Sequence, residues 1–156
     1  MTEIRGLTIR QPWAHAIAHH QKTIENRGWT TAYRGLIAIH AAASAGPRDE
    51  WEYAADRVAA LASVPIRDVE DGMRTRSAIV AVAYLSGICS TSYGIPHGVG
   101  LACECGPWAM PRQRHLHLIG VRALERPLPC KGALGLWRVP PAVAVELEEQ
   151  TRTVRS

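Results

Sequence analysis

The residues best placed to do chemistry in this chain are Lys22, Glu25 and Arg27, within the stretch KTIENRGW. A lysine offers a compact positive charge for phosphate, or an amine for chemistry where burial strips its proton. A carboxylate accepts hydrogen bonds from an exocyclic amino group such as that of cytosine. A guanidinium clamps a phosphate or a planar base edge. If residues 22–29 are extended, alternation sets Thr23, Glu25 and Arg27 on one face. A structural Glu25–Arg27 ion pair is the plainer use of the same two side chains. Lysine is scarce: of 18 Lys and Arg, only Lys22 and Lys131 are lysines, which draws attention to both.

Other side chains carry weaker signals. Trp13 and Trp29 have faces on which a nucleobase could stack, at ~1–3 kcal/mol per base, with core packing as the alternative, favoured for Trp13. His40 closes an apolar stretch and suits either proton transfer or a satisfied buried imidazole. His15 and His19 stand one helical turn apart, but no HExxH string is present, and a solvated helix face fits them better. Cys89, His97, Cys103, Cys105, His115 and His117 crowd one region. Structural zinc sites usually use C-x₂₋₄-C spacing, and the C-x-C here is tighter. No cofactor is therefore expected, with zinc on Cys89, His97, Cys103 and Cys105 as the alternative.

The elements that must position these residues follow from periodicity. Leu7 to Ile9 reads as a short strand, and Pro12 as the start of an Ala-rich helix over 13–20. GLIAIH (35–40) is a buried strand. Pro47 opens a second helix with Asp49 and Glu50 in its first turn, and Trp51, Ala54, Ala55, Val58 and Leu61 at helical spacing. Pro65 ends it. SAIVAVAYL (77–85) is the longest apolar run and the expected central strand. Residues 86–114 read as a long loop, functional or mobile by its length. Strands are expected over 115–124 and 134–139, then a helix from Pro141 and a frayed tail over 151–156. The order does not alternate strand and helix regularly, and GxGxxG and GxxxxGK[ST] are both absent. Both observations argue against a doubly wound nucleotide fold, and a small mixed barrel with peripheral helices fits better.

The chain has 156 residues, 47% hydrophobic and 21% charged, with five Trp and no Phe. That length suits one domain (1–150) with a real core. The net charge of +4 favours a polyanionic partner without demanding one. No apolar run approaches the ~20 residues of a bilayer span, so the expectation is a cytoplasmic protein that keeps off membranes and holds its four cysteines reduced.

Three segments together resemble the ASCH (activating signal cointegrator homology) family: LTIRQPWAHAI (7–17), KTIENRGWTTAYRGLIAIHAA (22–42) and PLPCKGALGLWRVP (127–140). The resemblance covers about residues 5–140, and residues 88–113 match nothing in it. It implies an α+β, mainly β fold: a PUA-like small mixed β-barrel with peripheral helices. It also implies a cleft between the first helix, the Lys22–Arg27 strand and adjoining loops, with RNA or a nucleotide as partner. The ligand-binding residues would then be Lys22, Glu25, Arg27, Trp29 and His40, with Gln11 and Trp13 from the first motif and Lys131 from the third. Some members resemble hydrolases acting on acetylated cytidine or on RNA. In the amidohydrolase branch a Thr stands three residues after the Lys, where this chain has Glu25. A carboxylate there holds the neighbouring ammonium charged and spoils it as a base. Lys22 with Glu25 as an acid/base pair of a hydrolase is thus the second reading, and a protein-interaction module using loop 86–114 the third.

Overall fold

The structure is a computed structural model and describes residues 3–89, 103 and 105–152. Its frame is one six-stranded sheet in the order β2-β5-β4-β3-β1-β6. Strand β1 (Ile4–Ile9) runs parallel to β3 (Gly35–Ala41), while the short β6 (Leu136–Arg138) pairs antiparallel with the other edge of β1. β4 (Ala78–Cys89) lies between β3 and β5 (Arg114–Pro129), antiparallel to both, and β2 (Ile24–Arg27) adds to the end of β5.

β4 and β5 are long, and their pairing shifts register at Ile79/Ala81, Val82/Tyr84 and Leu85/Gly87. Each irregularity bends the strand and increases its twist, which curls the sheet into a half-barrel. Helix α1 (Trp13–His19) packs into its hollow, where Ile17 joins one core cluster with Leu7, Ile9, Ile37, Ile39, Leu85 and Leu118. α4 (Pro141–Arg152) covers the other face through Leu147, against Ile79, Val82 and Leu124. β4 is therefore buried on both faces, which explains its continuous apolar run. α2 (Arg48–Ala62) and α3 (Ile66–Gly72) close a further cluster with Ala16 through Ala55, Val58 and Val69.

The fold is the expected mixed, PUA-like barrel with peripheral helices. The differences are local. A third helix follows Pro65, where the sequence reads only as the end of the second: α3 is seven residues long and buries Val69 alone among its residues, too few to set a period. β4 continues through Ser86 to Cys89 instead of opening into loop at Ser86, and β5 runs on to Pro129. Both extensions are held by pairing with each other, which a single strand's pattern cannot reveal. β6 is confined to Leu136–Arg138, and Leu134, expected in that strand, lies outside it. Thr151 and Arg152 close α4, so only 153–156 of the expected tail fall outside the described residues.

Two constraints show how tightly the edges are fitted. A Cβ on Gly6 would fall inside the indole of Trp137, its partner across β1 and β6. Glycine at this position lets the indole lie flat on the β1 backbone. Gly6→Ala is expected to cost about 1–3 kcal/mol by overpacking, read as a lower urea midpoint with unchanged slope. The second constraint is a histidine cluster at the end of α1. The rings of His19 and His20 each stand 4.9 Å from that of His15, and His15 Nε2 is 3.2 Å from His20 Nε2. Burial, and then the neighbouring His19 and His20, lower His15 to about 4. The unfolded chain thus binds more protons than the folded one between pH 6.5 and about 4. Stability is present in full above that window and falls as pH drops through it. His15→Gln should flatten the fall by roughly 1–2 kcal/mol, discounted for partial solvent screening, in urea melts run from pH 7 to pH 4.

Candidate functional site

Lys22, Glu25 and Arg27 do converge, but not side by side. Lys22 follows Gln21, which sits in the left-handed region at φ 58°, and its N–H returns to the Ala16 carbonyl at the end of α1. This turn sends the lysine side chain inward, where it is 1% exposed. Its Nζ donates to Glu25 Oε2 at 3.0 Å and to the Ile24 carbonyl, and lies 5.7 Å from the centre of the Trp13 ring. In β2, alternation points Ile24 into the core and Glu25 with Arg27 to the other side. Arg27 Nε donates to Glu25 Oε1 at 3.1 Å, and Nη2 to the Thr8 carbonyl of β1 at 2.8 Å. One carboxylate thus bridges two cations, and the arginine ties the β2 edge to β1.

A cleft of about 540 Å³ opens over this cluster. Glu25, Asn26, Arg27, Gly28 and Trp29 form one wall, Thr8 to Arg10 with Trp13 the floor, and Ala133 to Gly135 the opposite lip, with Gln113 at the side. Lys22 is not among the lining residues. It lies beneath Glu25 and balances the carboxylate from below. Arg10, largely exposed and 3.3 Å from Glu50, adds a second cation at the mouth.

The other residues singled out from the sequence divide sharply. Trp13 and Trp29 line the cleft while packing on the core. Gln11 is buried and spent on structure: its Oε1 accepts the His15 N–H at 2.9 Å, and its Nε2 donates to the Thr75 carbonyl at 3.0 Å. His40 is buried behind the cleft. Its Nε2 donates to the Cys130 carbonyl at 2.8 Å, which leaves Nδ1 to accept from the Thr8 hydroxyl at 3.2 Å. Thr8 Oγ1 in turn accepts the Trp137 indole N–H at 3.0 Å. Burial lowers the pKa of His40, and this chain of bonds fits the neutral ring. Lys131 is exposed and outside the cleft lining. Residues the sequence reasoning missed are Arg10, Gln113 and, above all, Leu134, 98% exposed on the lip. Leu134 belongs to an apolar run that reads as strand, so no local signal marks it as a projecting side chain.

A second cluster forms where β4 ends and β5 begins. Ligating atoms of Cys89, Cys103, Cys105 and His115 all lie within 4.8 Å of one another. Among the described residues this is the one group of three or more His, Cys, Asp or Glu gathered closely enough to hold a metal ion. His97, counted in the expected zinc set, lies outside the described residues, and His115 stands as the fourth member. Burial, then Cys103 and Cys89 beside it, push the Cys105 thiol up to about 12.

Two further hollows, of about 380 and 550 Å³, flank α4. Neither gathers a packed set of buried charges like that beneath the cleft. No described helix is long and apolar enough to cross a membrane. The family model described as ASCH domain matches residues 7–97, which take in the second half of β1, all of β2, β3 and β4, and the whole Lys22–Arg27 segment. No curated protein matches the chain.

The charge cluster predicts an asymmetric mutation series. Glu25→Ala leaves Lys22 buried without its carboxylate and should cost about 3–5 kcal/mol. Lys22→Met keeps most of the volume and leaves Glu25 its arginine, so it should cost clearly less. Urea denaturation of both variants checks the order, and a larger loss in Lys22→Met would contradict it.

Proposed function

The chain belongs to the ASCH domain family, and from that premise we propose that it binds single-stranded RNA or a nucleotide in the cleft over Glu25 and Arg27. ASCH domains are PUA-like and generally RNA-binding. The observation that carries the reading is the Lys22–Glu25–Arg27 array, whose buried end is neutralised by Lys22 and whose open end faces the cleft.

In this reading each side chain has a defined task. Arg27 Nη1 makes no hydrogen bond among the described residues and is directed to a phosphate or a base edge. Each Glu25 oxygen accepts one bond and keeps a lone pair for an amino group. Because Glu25 is fixed at both oxygens, it is ordered before any ligand arrives, which reduces the entropy lost on binding. Trp29, with Trp13 deeper in, offers a face for a base. Leu134 covers it from the opposite lip. Arg10 at the mouth draws the phosphate chain.

Binding is favoured over hydrolysis by one specific observation. The ammonium of Lys22 is tied to two acceptors beneath the cleft, and it would have to abandon both to reach a substrate. A hydrolase using Lys22 and Glu25 is therefore the weaker reading.

The test is fluorescence anisotropy with short labelled single-stranded RNAs and with nucleotides. Affinity should fall with rising salt, by ~0.7 in the logarithmic slope per phosphate contact. Arg10→Ala should flatten that slope by about one contact, and Trp29→Ala should cost ~1–3 kcal/mol if a base stacks there. Leu134→Ser should weaken binding with no change in Tm, since the side chain is 98% exposed. Absence of binding at low salt to every RNA and nucleotide tried would remove the proposal.

A further inference from the structure

We propose that Cys89, Cys103, Cys105 and His115 form a mononuclear structural zinc site that staples the β4–β5 connection beside the cleft. The proposal is independent of what the cleft binds.

The geometry assembles from two directions. Cys89 and His115 are cross-strand partners in the last pair of the β4–β5 ladder. Opposed residues in an antiparallel ladder project to the same face. Cys103 and Cys105 approach that face from the connection, placing Cys103 Sγ 3.1 Å from His115 Nδ1. Three soft sulfurs and an imidazole nitrogen are a donor set that selects zinc among common divalent ions. In a tetrahedral site with Zn–S of ~2.3 Å, neighbouring sulfurs stand about 3.8 Å apart. The observed limit of 4.8 Å between ligand atoms leaves only a small contraction to reach that figure. An iron–sulfur cluster needs its cysteines spread around several metal atoms and fits this spacing poorly.

The surroundings support the ligand role. His115 is 1% exposed, and its Nε2 donates to the Met110 carbonyl at 2.6 Å. That bond fixes the proton on Nε2 and turns the Nδ1 lone pair toward the sulfurs, the usual outer support of a zinc-bound histidine. Binding would convert three thiols to thiolates, releasing three protons to solvent and leaving the site with a charge of −1. His117 Nε2, 3.3 Å from Cys105 Sγ, is placed to donate to that thiolate and offset the charge. The staple would also reach the cleft. Asn26 Oδ1 accepts the Met110 N–H at 2.8 Å, and its Nδ2 donates to the Trp108 carbonyl at 3.0 Å. Asn26 lies between Glu25 and Arg27, so the segment anchored by the metal is bonded directly to the binding wall.

The experiment is metal analysis of the purified full chain, followed by cobalt(II) reconstitution of the chelated protein. The expected results are one zinc per chain and a cobalt spectrum with tetrahedral d–d bands and thiolate charge-transfer absorption. Tm should fall on chelation and recover with zinc. Cys105→Ser should lose the metal, whereas Cys130→Ser, outside the cluster, should keep it. If the cysteine variant fails to fold, the cobalt spectrum and zinc content of the unaltered chain still decide. A chain with negligible zinc and no tetrahedral cobalt spectrum overturns the proposal. So does zinc retained in full by folded Cys105→Ser, or a disulfide among these cysteines found by mass spectrometry in protein purified under reducing conditions.

Discussion

Everything at the cleft depends on one carboxylate. Glu25 is shared between an ammonium that water cannot reach and a guanidinium that it can. Removing the Lys22 and Glu25 charges from water costs several kcal/mol per ion unless each finds a partner of opposite sign with good geometry. The array meets that condition by alternating its charges: cation, anion, cation. It is anchored at both ends by backbone carbonyls, Ile24 below and Thr8 across on β1. The same bonds therefore hold the edge strand β2 against the barrel and fix the direction of the two groups that face the cleft. In the proposed reading, stability and recognition are the same interaction seen from two sides.

The opposite lip is held by a different device. The bonds from Trp137 to Thr8, from Thr8 to His40 and from His40 to the Cys130 carbonyl bind the segment before β6 to β1 and β3. Gly132 fits directly against Thr8 and His40, where a Cβ would collide with both side chains. Thr8 takes part in both systems, its carbonyl receiving Arg27 and its hydroxyl serving His40 and Trp137. A single residue of β1 thus sets the spacing between the two walls. Walls held in this way would lose little freedom on binding the proposed ligand.

Much of this was legible in the chain itself. The central strand β4, the apolar strands at 7–9 and 35–40 and the helical face of Ala54, Ala55 and Val58 follow from periodicity and the barrel from the family resemblance, while the curl of the sheet rests on the β4–β5 register shifts. The grouping of Glu25 with Arg27 follows from strand alternation. The family resemblance over about residues 5–140 agrees with the match over residues 7–97 in its first two segments, 7–17 and 22–42, while its third segment, 127–140, lies outside that match. What stayed hidden depends on tertiary context. Scarcity of lysine marks Lys22 as special without saying that it is a core residue, because the inward turn at Gln21 comes from backbone conformation. Gln11 and His40 have the polarity of binding residues, and only their partners at Thr75, Thr8 and Cys130 show that both are spent on structure. The Cys/His cluster is distant in sequence on one side and a bare C-x-C on the other. The β4–β5 register that sets Cys89 against His115 is needed to bring its members together.

The most direct test of the account is a nuclear magnetic resonance titration of the labelled chain with a short single-stranded RNA. The side-chain N–H signals of Arg27 (Nε) and of the Trp13 and Trp29 indoles report on the cleft wall and floor. The Trp137 indole, bonded to Thr8 behind them, serves as an internal reference. Binding in the cleft predicts saturable shifts at Arg27 and Trp29, smaller shifts at Trp13, and a nearly stationary Trp137. Saturable shifts confined to residues around α4, with Arg27 and Trp29 unmoved, would contradict it.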